Sequence, residues 1–246
     1  QTGYIDQESL PTLGTVSRNE NGYPIGYFFG YKAIGVFQTQ EEIDSYISPA
    51  TGKPIQPNAA PGDTKFEDLN GDGVISDDNE DRTMIGKPNP DWMVGLTVAA
   101  DWNGFDLSAF FQGSFGADVF DALRRYELAA VNYTSDALER WTGPGTSNSM
   151  PRIVLGDTPK NFRPSTLLVH DASFLRLRNL QVGYTLPAQL TRKAYIQRLR
   201  FYASFDNLLT ITGYKGMDPE IGSTMGIDKG VYPQARVYTF GLNLTF

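Results

Sequence analysis

The sequence predicts an all-β protein, namely antiparallel strands of a transmembrane β-barrel joined by long extracellular loops. Three observations support this fold class. Several β-compatible runs are about 11 residues long, the length of a strand that crosses a bilayer. Apolar and polar residues alternate along each run, and short turns alternate with long loops, as in outer-membrane barrels. We therefore expect an extracellular loop region at residues 1–90 and barrel strands at residues 91–246, with a long insertion at about 117–171.

A β-hairpin at residues 91–116 is the clearest predicted element. Its two arms meet at Asn103-Gly104, a pair that tolerates the positive φ angles of a type I′ turn. The apolar face takes Trp92, Val94, Leu96, Val98, Ala100 and Trp102 from the first arm and Phe105, Leu107, Ala109, Phe111 and Phe115 from the second. The opposite face is mostly polar or small. Lipid on one side and a polar lumen on the other produce this pattern.

Three further strands follow the insertion. The first covers residues 174–186, and its apolar face carries Leu180, Val182, Tyr184 and Leu186. Arg176 and Arg178 have the same parity as this apolar set, which predicts either a β-bulge or the end of the apolar belt. The last two strands cover residues 199–206 and 237–246.

The rest of the chain is predicted to be loops. Residues 1–90 are rich in Gly and Pro, which indicates short strands at most, and residues 41–46 could form one or two helical turns. The insertion has helix-forming character at residues 118–141 and is rich in Gly, Pro and Ser after that. A loop of this size is usually functional or disordered.

The composition argues against several classes of function. There are 28 Asp and Glu against 21 Lys and Arg, and the net charge of -7 argues against nucleic-acid binding through phosphate neutralisation. The absence of cysteine excludes disulfides, thiolate metal sites and a cysteine nucleophile. The single histidine, His170, lies beside Asp171 and is interpreted as a surface or loop residue rather than a catalytic one.

No run of 18 apolar residues occurs, so membrane-spanning helices are excluded. The first residues do not resemble a signal peptide.

An acidic segment at residues 68–81 predicts a cation site. Asp68, Asn70 and Asp72 occupy positions 1, 3 and 5 of an EF-hand-type loop, Gly73 occupies the turn position 6, and Val74 can offer its carbonyl at position 7. Such oxygen donors favour a structural Ca²⁺, with Mg²⁺ as the alternative ion.

The closing ligand of this site is left open by the motif. Asn79 stands at position 12, where an EF-hand has a bidentate Glu, so the last carboxylate must come from Glu80 or Asp81. The competing interpretation is an acidic, Gly-rich turn in solvent.

A soluble β-sandwich is the competing fold, because its inner faces also alternate. Three features favour the barrel. The strands are longer than the common 5 or 6 residues, long and short connections alternate, and aromatic residues lie at strand ends, where barrel girdles occur. These aromatic residues are Trp92, Trp102, Phe105, Phe115, Tyr238 and Phe246.

Several motifs, taken together and in order, resemble the C-terminal portion of the SusC/RagA family of TonB-dependent outer-membrane transporters of Bacteroidetes. They are Gly26-Tyr-Phe-Phe-Gly-Tyr31, Gly35-Val-Phe-Gln38, Asp68-Leu-Asn-Gly-Asp-Gly73, Ile85-Gly-Lys-Pro-Asn-Pro90, Gly104-Phe-Asp-Leu-Ser-Ala-Phe-Phe-Gln-Gly113, Phe174-Leu-Arg-Leu-Arg-Asn-Leu180, Phe205-Asp-Asn-Leu208 and the terminal Phe246. The resemblance covers nearly the whole chain.

The resemblance implies a barrel of about 22 strands in the bacterial outer membrane, a plug with a TonB box, and a SusD/RagB-like surface lipoprotein as lid. Plug and TonB box are expected outside these residues. The family's strand order implies that Asn103-Gly104 lies in the periplasm and that the insertion and the acidic loop lie outside the cell. It also aligns Asp81 with the closing carboxylate of the metal loop. It further implies that the outer-membrane insertion machinery recognises Phe246 as the terminal aromatic residue.

The first functional hypothesis is import of oligosaccharides or oligopeptides, which needs no catalytic residue. Polar lumen positions would then be Asp106, Gln112, Asn179, Gln181, Tyr202 and Asp206. The alternative is a secreted calcium-dependent β-sandwich that binds glycans, with Trp141 or Tyr133 stacking on sugar rings. A hydrolase, which needs paired carboxylates in a cleft, ranks last.

Overall fold

The computed structural model of the protein describes residues 4–10, 13–123, 132–220 and 225–246. The chain divides into two compact units, and each is described by itself. The loop unit contains Gln1–Asn89, Asp118–His170 and Ile221–Gly230, and the strand unit contains Pro90–Ala117, Asp171–Glu220 and Val231–Phe246.

The elements are numbered in chain order. The strands are β1 (Tyr4–Leu10), β2 (Gly14–Glu20), β3 (Tyr27–Tyr31), β4 (Ala33–Val36), β5 (Thr64–Phe66), β6 (Arg82–Gly86), β7 (Trp92–Trp102), β8 (Phe105–Phe115), β9 (Asp118–Asp121), β10 (Val169–Asp171), β11 (Phe174–Thr185), β12 (Arg198–Thr212), β13 (Ile227–Asp228) and β14 (Val237–Thr245). The α-helices are α1 (Gln40–Ser45) and α2 (Ala188–Thr191), and 3-10 helices cover Ser135–Glu139, Leu155–Asp157, Thr166–Leu168 and Arg192–Ala194.

The strand unit is built on one antiparallel five-stranded sheet with the order β14-β12-β11-β8-β7. These are the strands that the alternation predicts, so the all-β class and the hairpin are confirmed. β7 and β8 have 11 residues each. At their turn, Asn103 and Gly104 have φ angles of 49° and 87°, the positive values that a type I′ turn requires. β12 continues to Thr212, past its predicted end.

One face of this sheet is apolar and exposed. Trp92, Trp102 and Phe240 are 73%, 75% and 76% exposed, although they are large apolar side chains. A soluble β-sandwich covers such a face with a second sheet, whereas lipid covers it in a transmembrane barrel. The face therefore has the character of a lipid-facing wall.

A bulge in β11 explains the parity of its two arginines. The register of β11 with both β8 and β12 shifts between Leu177 and Asn179, so Arg178 is the extra residue relative to β8. On β12, Asn207 and Leu208 lie opposite Arg178, and Asn207 has a φ of 52°. Because one residue is inserted, Arg178 and Asn179 both face the polar side, and the apolar side chains before and after the bulge stay on the opposite side. Of the two predicted explanations, the bulge is correct.

The loop unit contains three small sheets. Their strand orders are β1-β2-β3-β6, β4-β5 and β10-β9-β13, and β13 is parallel to β9. One hydrophobic core cluster, between the first and the third of these sheets, consists of Val16, Phe28, Phe120, Leu168 and Ile227, each at most 2% exposed. Residues distant in sequence thus share one core, which gives the loop unit a defined fold.

The predicted helical character at 118–141 is wrong at its start. Asp118–Asp121 is the strand β9, because Phe120 is fully buried and its backbone N–H donates to the carbonyl of Gly226. Ser135–Glu139 is a 3-10 helix rather than an α-helix. Residues 124–131 lie outside the described part of the chain. The short helix predicted near residue 41 is confirmed as α1, which Thr39 caps by accepting from the N–H of Glu42 at 3.3 Å.

Within the described residues, none of the helices has both the length and the apolar character that crossing a membrane would require.

Candidate functional site

The predicted metal residues lie together in one acidic loop of the loop unit. Asp68 accepts from the backbone N–H of Gly71 (2.7 Å) through Oδ1 and from that of Gly73 (2.9 Å) through Oδ2. Asp72 accepts from the N–H of Val74 at 2.9 Å. In the first half of the loop, backbone N–H groups therefore donate to the loop's own carboxylates. Such local bonds are typical of turns that contain Asp.

Asp81 closes the loop from a buried position. Its side chain accepts from the N–H groups of Leu69 (3.2 Å) and Ser76 (3.0 Å), and the residue is fully buried. The Nδ2 atom of Asn70 lies 3.0 Å from a carboxylate oxygen of Asp72 and 3.0 Å from one of Glu80. The loop thus gathers both candidates for the closing ligand.

The donor types fit a hard cation, but their arrangement is not yet a coordination shell. Among the residues that the structure describes, no three Asp, Glu or His side chains converge as a metal-binding group. Several of the carboxylate oxygens are instead occupied by backbone N–H groups. Cation binding would have to reorient Asn70, so that its amide oxygen replaces the Nδ2 group between the carboxylates.

Residues from other segments hold the acidic loop in place. Tyr31 donates from its hydroxyl to the carbonyl of Ser76 at 2.7 Å, and burial raises the pKa of the Tyr31 hydroxyl. Lys160 pairs with Asp77, and the hydrogen bond from Lys160 lowers the pKa of that carboxyl. Gly73 lies close against Ser48, because a Cβ at this position would come within 2.7 Å of the Ser48 side chain.

Beside the loop lies a stack of three guanidinium groups and four aromatic rings, which we call the arginine–aromatic stack. Arg18 lies 3.7 Å from the ring centroid of Tyr4 and 3.6 Å from that of Phe29, Arg82 lies 4.5 Å from Phe29 and 5.8 Å from Tyr31, and Arg163 lies 4.6 Å from Tyr31 and 4.9 Å from Phe66. Each such contact stabilises by about 0.5–2 kcal/mol. Sequence reasoning missed this stack, because its members come from six separate segments.

Arg82 is the central cation of the stack. It donates to the carbonyls of Phe29 (2.7 Å) and Thr15 and to the side chain of Asn79 (3.1 Å). Burial lowers the pKa of its guanidinium. Because Arg82 directly follows Asp81, it ties the end of the acidic loop to the sheet of β2 and β3.

Two cavities stand out among the described residues of the loop unit. The larger, of about 660 Å³, lies between the turn at residues 51–59 and residues 73–75 of the acidic loop. The smaller, of about 500 Å³, is lined by Tyr31, Arg82 and Arg163, among others. Both are large enough for a few atoms of a small ligand.

The other residues that the sequence singled out lie elsewhere in the loop unit. The indole N–H of Trp141 donates to Gln38 at 3.1 Å, and its ring packs directly against Gly62, so it is not free to stack on a sugar. Tyr133 is 45% exposed. His170 lies with its Nε2 3.8 Å from a carboxylate oxygen of Asp121.

The polar face of the strand unit carries a network of buried ion pairs. Arg176 is 2% exposed; it donates to Asp218 (2.5 Å), Glu220 (2.9 Å) and Thr210 (2.8 Å). Burial of Asp218 acts to raise its pKa, but the N–H donors of Gln234 and Glu220, together with Arg176, outweigh it and lower the pKa. The network ties residues 218–220 to the sheet.

Further predicted lumen residues also pair on this face. Asn179 donates to Ser204 (3.0 Å) and Asp206 (2.7 Å), and Arg200 donates to Asp106 at 2.8 Å. An antiparallel sheet with an exposed apolar face and an ion-paired opposite face defines part of the wall of a transmembrane β-barrel.

Comparison with known proteins identifies the barrel. No protein-family model matches the chain. The chain is 34% identical over 236 residues to TonB-dependent receptor P3 of Formosa agariphila, covering 92% of this chain and 22% of the receptor. It is 30% identical over 248 residues to the TonB-dependent receptor SusC of Bacteroides thetaiotaomicron, covering 100% of this chain and 23% of SusC.

The chain is also similar to solved structures of this kind of transporter. The structure of the RagAB peptide transporter matches with a TM-score of 0.71 and 27% identity, covering 98% of this chain and 25% of that chain. The RagAB peptide importer in its open-open state gives a TM-score of 0.70. The chain belongs to the SusC/RagA family of TonB-dependent receptors, as a C-terminal portion of such a protein, and spans about a quarter of the relatives' length.

Proposed function

We propose that the chain forms part of the barrel wall and external loops of a TonB-dependent outer-membrane importer. The observation that carries this proposal is the two-faced strand unit, apolar and exposed on one side and ion-paired on the other, in a chain related to SusC along its whole length. The polar face would line the lumen, and lipid would cover the apolar face. No catalytic step is needed, because TonB acting on a plug elsewhere in the protein would supply the energy.

The cargo and the partner are proposed by analogy with the relatives. The related RagAB structures are described as a peptide importer, and we propose oligopeptides or oligosaccharides as the cargo class here. A SusD/RagB-like surface lipoprotein would serve as lid, in contact with the external loops. The alternative, a secreted glycan-binding β-sandwich, is disfavoured by the exposed apolar face and by the packing of Trp141 against Gly62.

A structural Ca²⁺ in the acidic loop is part of the proposal. Asp68, Asn70, Asp72, the Val74 carbonyl and Asp81 would provide oxygen ligands, with Glu80 as the competing last ligand. An extracellular loop needs an affinity of only about 10⁻⁴ to 10⁻³ M to stay filled with calcium. The ion would neutralise carboxylates that otherwise repel one another and would fix the loop ahead of β6.

The importer is tested on the full-length protein in a Bacteroidetes host. We expect extraction only by detergent, faster gel migration without boiling, and co-purification of a surface lipoprotein. Removing the TonB-interacting segment should abolish growth on the ligand that the lipoprotein carries. A water-soluble monomer, or growth unaffected by that removal, would overturn the proposal.

A further inference from the structure

The smaller cavity of the loop unit, of about 500 Å³, is lined by an unusual number of charged side chains. Three are cations, Arg82, Lys160 and Arg163, and two are carboxylates, Asp77 and Asp157. What this cavity can bind depends on which of these charges are already engaged within the protein.

Two of the five charges are bound mainly by the protein itself. Asp157 accepts from the N–H groups of Asn161 and Phe162, both at 2.9 Å, so it serves as a backbone cap. Arg82 donates through both terminal nitrogens to protein oxygens. Its Nε is buried without an acceptor among the described residues, but neither of its terminal nitrogens is left for a ligand.

Arg163 is different. Its Nε donates to the carbonyl of Lys160 at 3.2 Å, but its Nη1 is buried and has no hydrogen-bond acceptor among the described residues. The nearby carboxylate oxygen of Asp77 lies 3.9 Å from Nη1, too far for a hydrogen bond. A buried cationic N–H group without an acceptor is costly, and an acceptor brought by a ligand would remove that cost.

The guanidinium of Arg163 is also held rigidly. It lies between the rings of Tyr31 and Phe66, at 4.6 and 4.9 Å from their centroids, and its side chain is only 14% exposed. A fixed, planar guanidinium loses little conformational freedom on binding and matches the geometry of an oxyanion.

Small residues and one exposed carboxylate, that of Asp77, line the rim of the cavity. Gly14 and Gly156 line it, and a Cβ at either position would meet no atom within 4 Å, so the rim has open space there. The Asp77 side chain is 68% exposed, and its principal partner is Lys160, itself 51% exposed. An exposed ion pair of this kind contributes little stability, so an incoming anion could replace it at small cost.

We propose that Arg163 and Lys160 form an oxyanion-binding site, which accepts a carboxylate or sulfate group of a ligand in the position now taken by the Asp77 carboxylate. Asp77 acts as an internal competitor. Because Asp77 belongs to the acidic loop, ligand binding would release one of that loop's attachments. Anion binding at this site can be measured at equilibrium, so the proposal does not depend on the proposed import function.

The test is calorimetric titration of the purified full-length protein with sodium sulfate and, separately, sodium acetate, at constant ionic strength set with chloride. We expect Arg163→Gln and Lys160→Gln each to weaken binding by about tenfold or more, the loss of one hydrogen bond to a charged group. Asp77→Asn should bind more tightly than the wild type. Lys32→Gln is the control, because Lys32 pairs with Glu67 on the surface and does not line the cavity.

Binding of either anion supports the site, and the preferred anion identifies the ligand group. Lys160→Gln leaves the arginine–aromatic stack untouched, so it decides the question if Arg163→Gln fails to fold. Absence of binding by the wild type, equal binding by Lys160→Gln, or no gain from Asp77→Asn would overturn the proposal.

Discussion

Arg176 donates to Asp218 at 2.5 Å, and both side chains are almost completely buried on the polar face of the strand unit. A buried ion pair of this kind is costly to break, because removing one partner leaves the other charge without compensation. The pair therefore fixes the position of residues 218–220 relative to β11.

Arg176→Ala should release this segment. The buried carboxylate of Asp218 would lose its main cation, at a cost of about 3–5 kcal/mol, and trypsin should then cut faster after Lys215 in the full-length protein. Arg192→Ala, in the 3-10 helix at the other end of the sheet, is the control and should leave the rate unchanged. Equal protection of Lys215 in both variants would contradict the tether.

The tether should also weaken in acid. The folded-state pKa of Asp218 is lowered, so its contribution to stability is complete above its unfolded pKa of about 4. That contribution is lost as the pH falls through the folded value. Hydrogen exchange at the N–H groups of Gln234 and Glu220, corrected for the intrinsic rate, should accelerate as the pH falls below about 4. In Asp218→Asn this pH dependence should be absent.

The calcium site predicts a loss of bound metal in Asp72→Ala. The wild-type full-length protein should retain about one calcium ion after dialysis, with oxygen distances of about 2.3–2.6 Å in a structure. Asp44→Ala, which alters an acidic side chain on α1, is the matched control. If elemental analysis found equal amounts of calcium in the wild type and in Asp72→Ala, the proposed set of ligands would be wrong.

Two glycines of the acidic loop provide a matched pair. Gly71 and Gly73 both have positive φ angles, 78° and 89°, so alanine at either strains the backbone by about 1–2 kcal/mol. Only at Gly73 would the added Cβ also collide with Ser48. Gly73→Ala should therefore lower loop protection against proteolysis, and the temperature of unfolding, more than Gly71→Ala. Equal effects would show that the close packing against Ser48 is unimportant.

The apolar face predicts that an added charge destabilises the protein more on one face of the sheet than on the other. Leu242→Arg places a cation on the lipid-facing side of β14, at a cost of about 2–4 kcal/mol near the bilayer midplane, and should reduce the amount of folded protein in the outer membrane. Thr239→Arg places the same charge on the polar face of the same strand and should have a much smaller effect. Heat-modified gel mobility measures the folded fraction of each variant.

The strands could be predicted from the sequence, because lipid and lumen impose a pattern on adjacent residues. The bulge was visible for the same reason, since Arg176 and Arg178 break the parity of an otherwise regular strand. The β9–β13 pairing and the arginine–aromatic stack were not predictable in this way. Phe120 pairs with a segment more than 100 residues later, and Arg18, Arg82 and Arg163 meet only after the loop unit has folded. The acidic motif was evident as a pattern, yet the bonds its oxygens make with backbone N–H groups follow from the turn geometry.

The bulge at Arg178 makes the length of β11 as important as its composition. One extra residue keeps the apolar side chains of both halves on the same side of the sheet. Deleting that residue would shift the alternation of one half by one position. Every side chain beyond the deletion would exchange sides, and either the half with Arg176 would turn this side chain toward lipid or the half with Leu180 and Val182 would turn toward the lumen. A one-residue deletion here should therefore be tolerated less well than several conservative substitutions spread along the same strand.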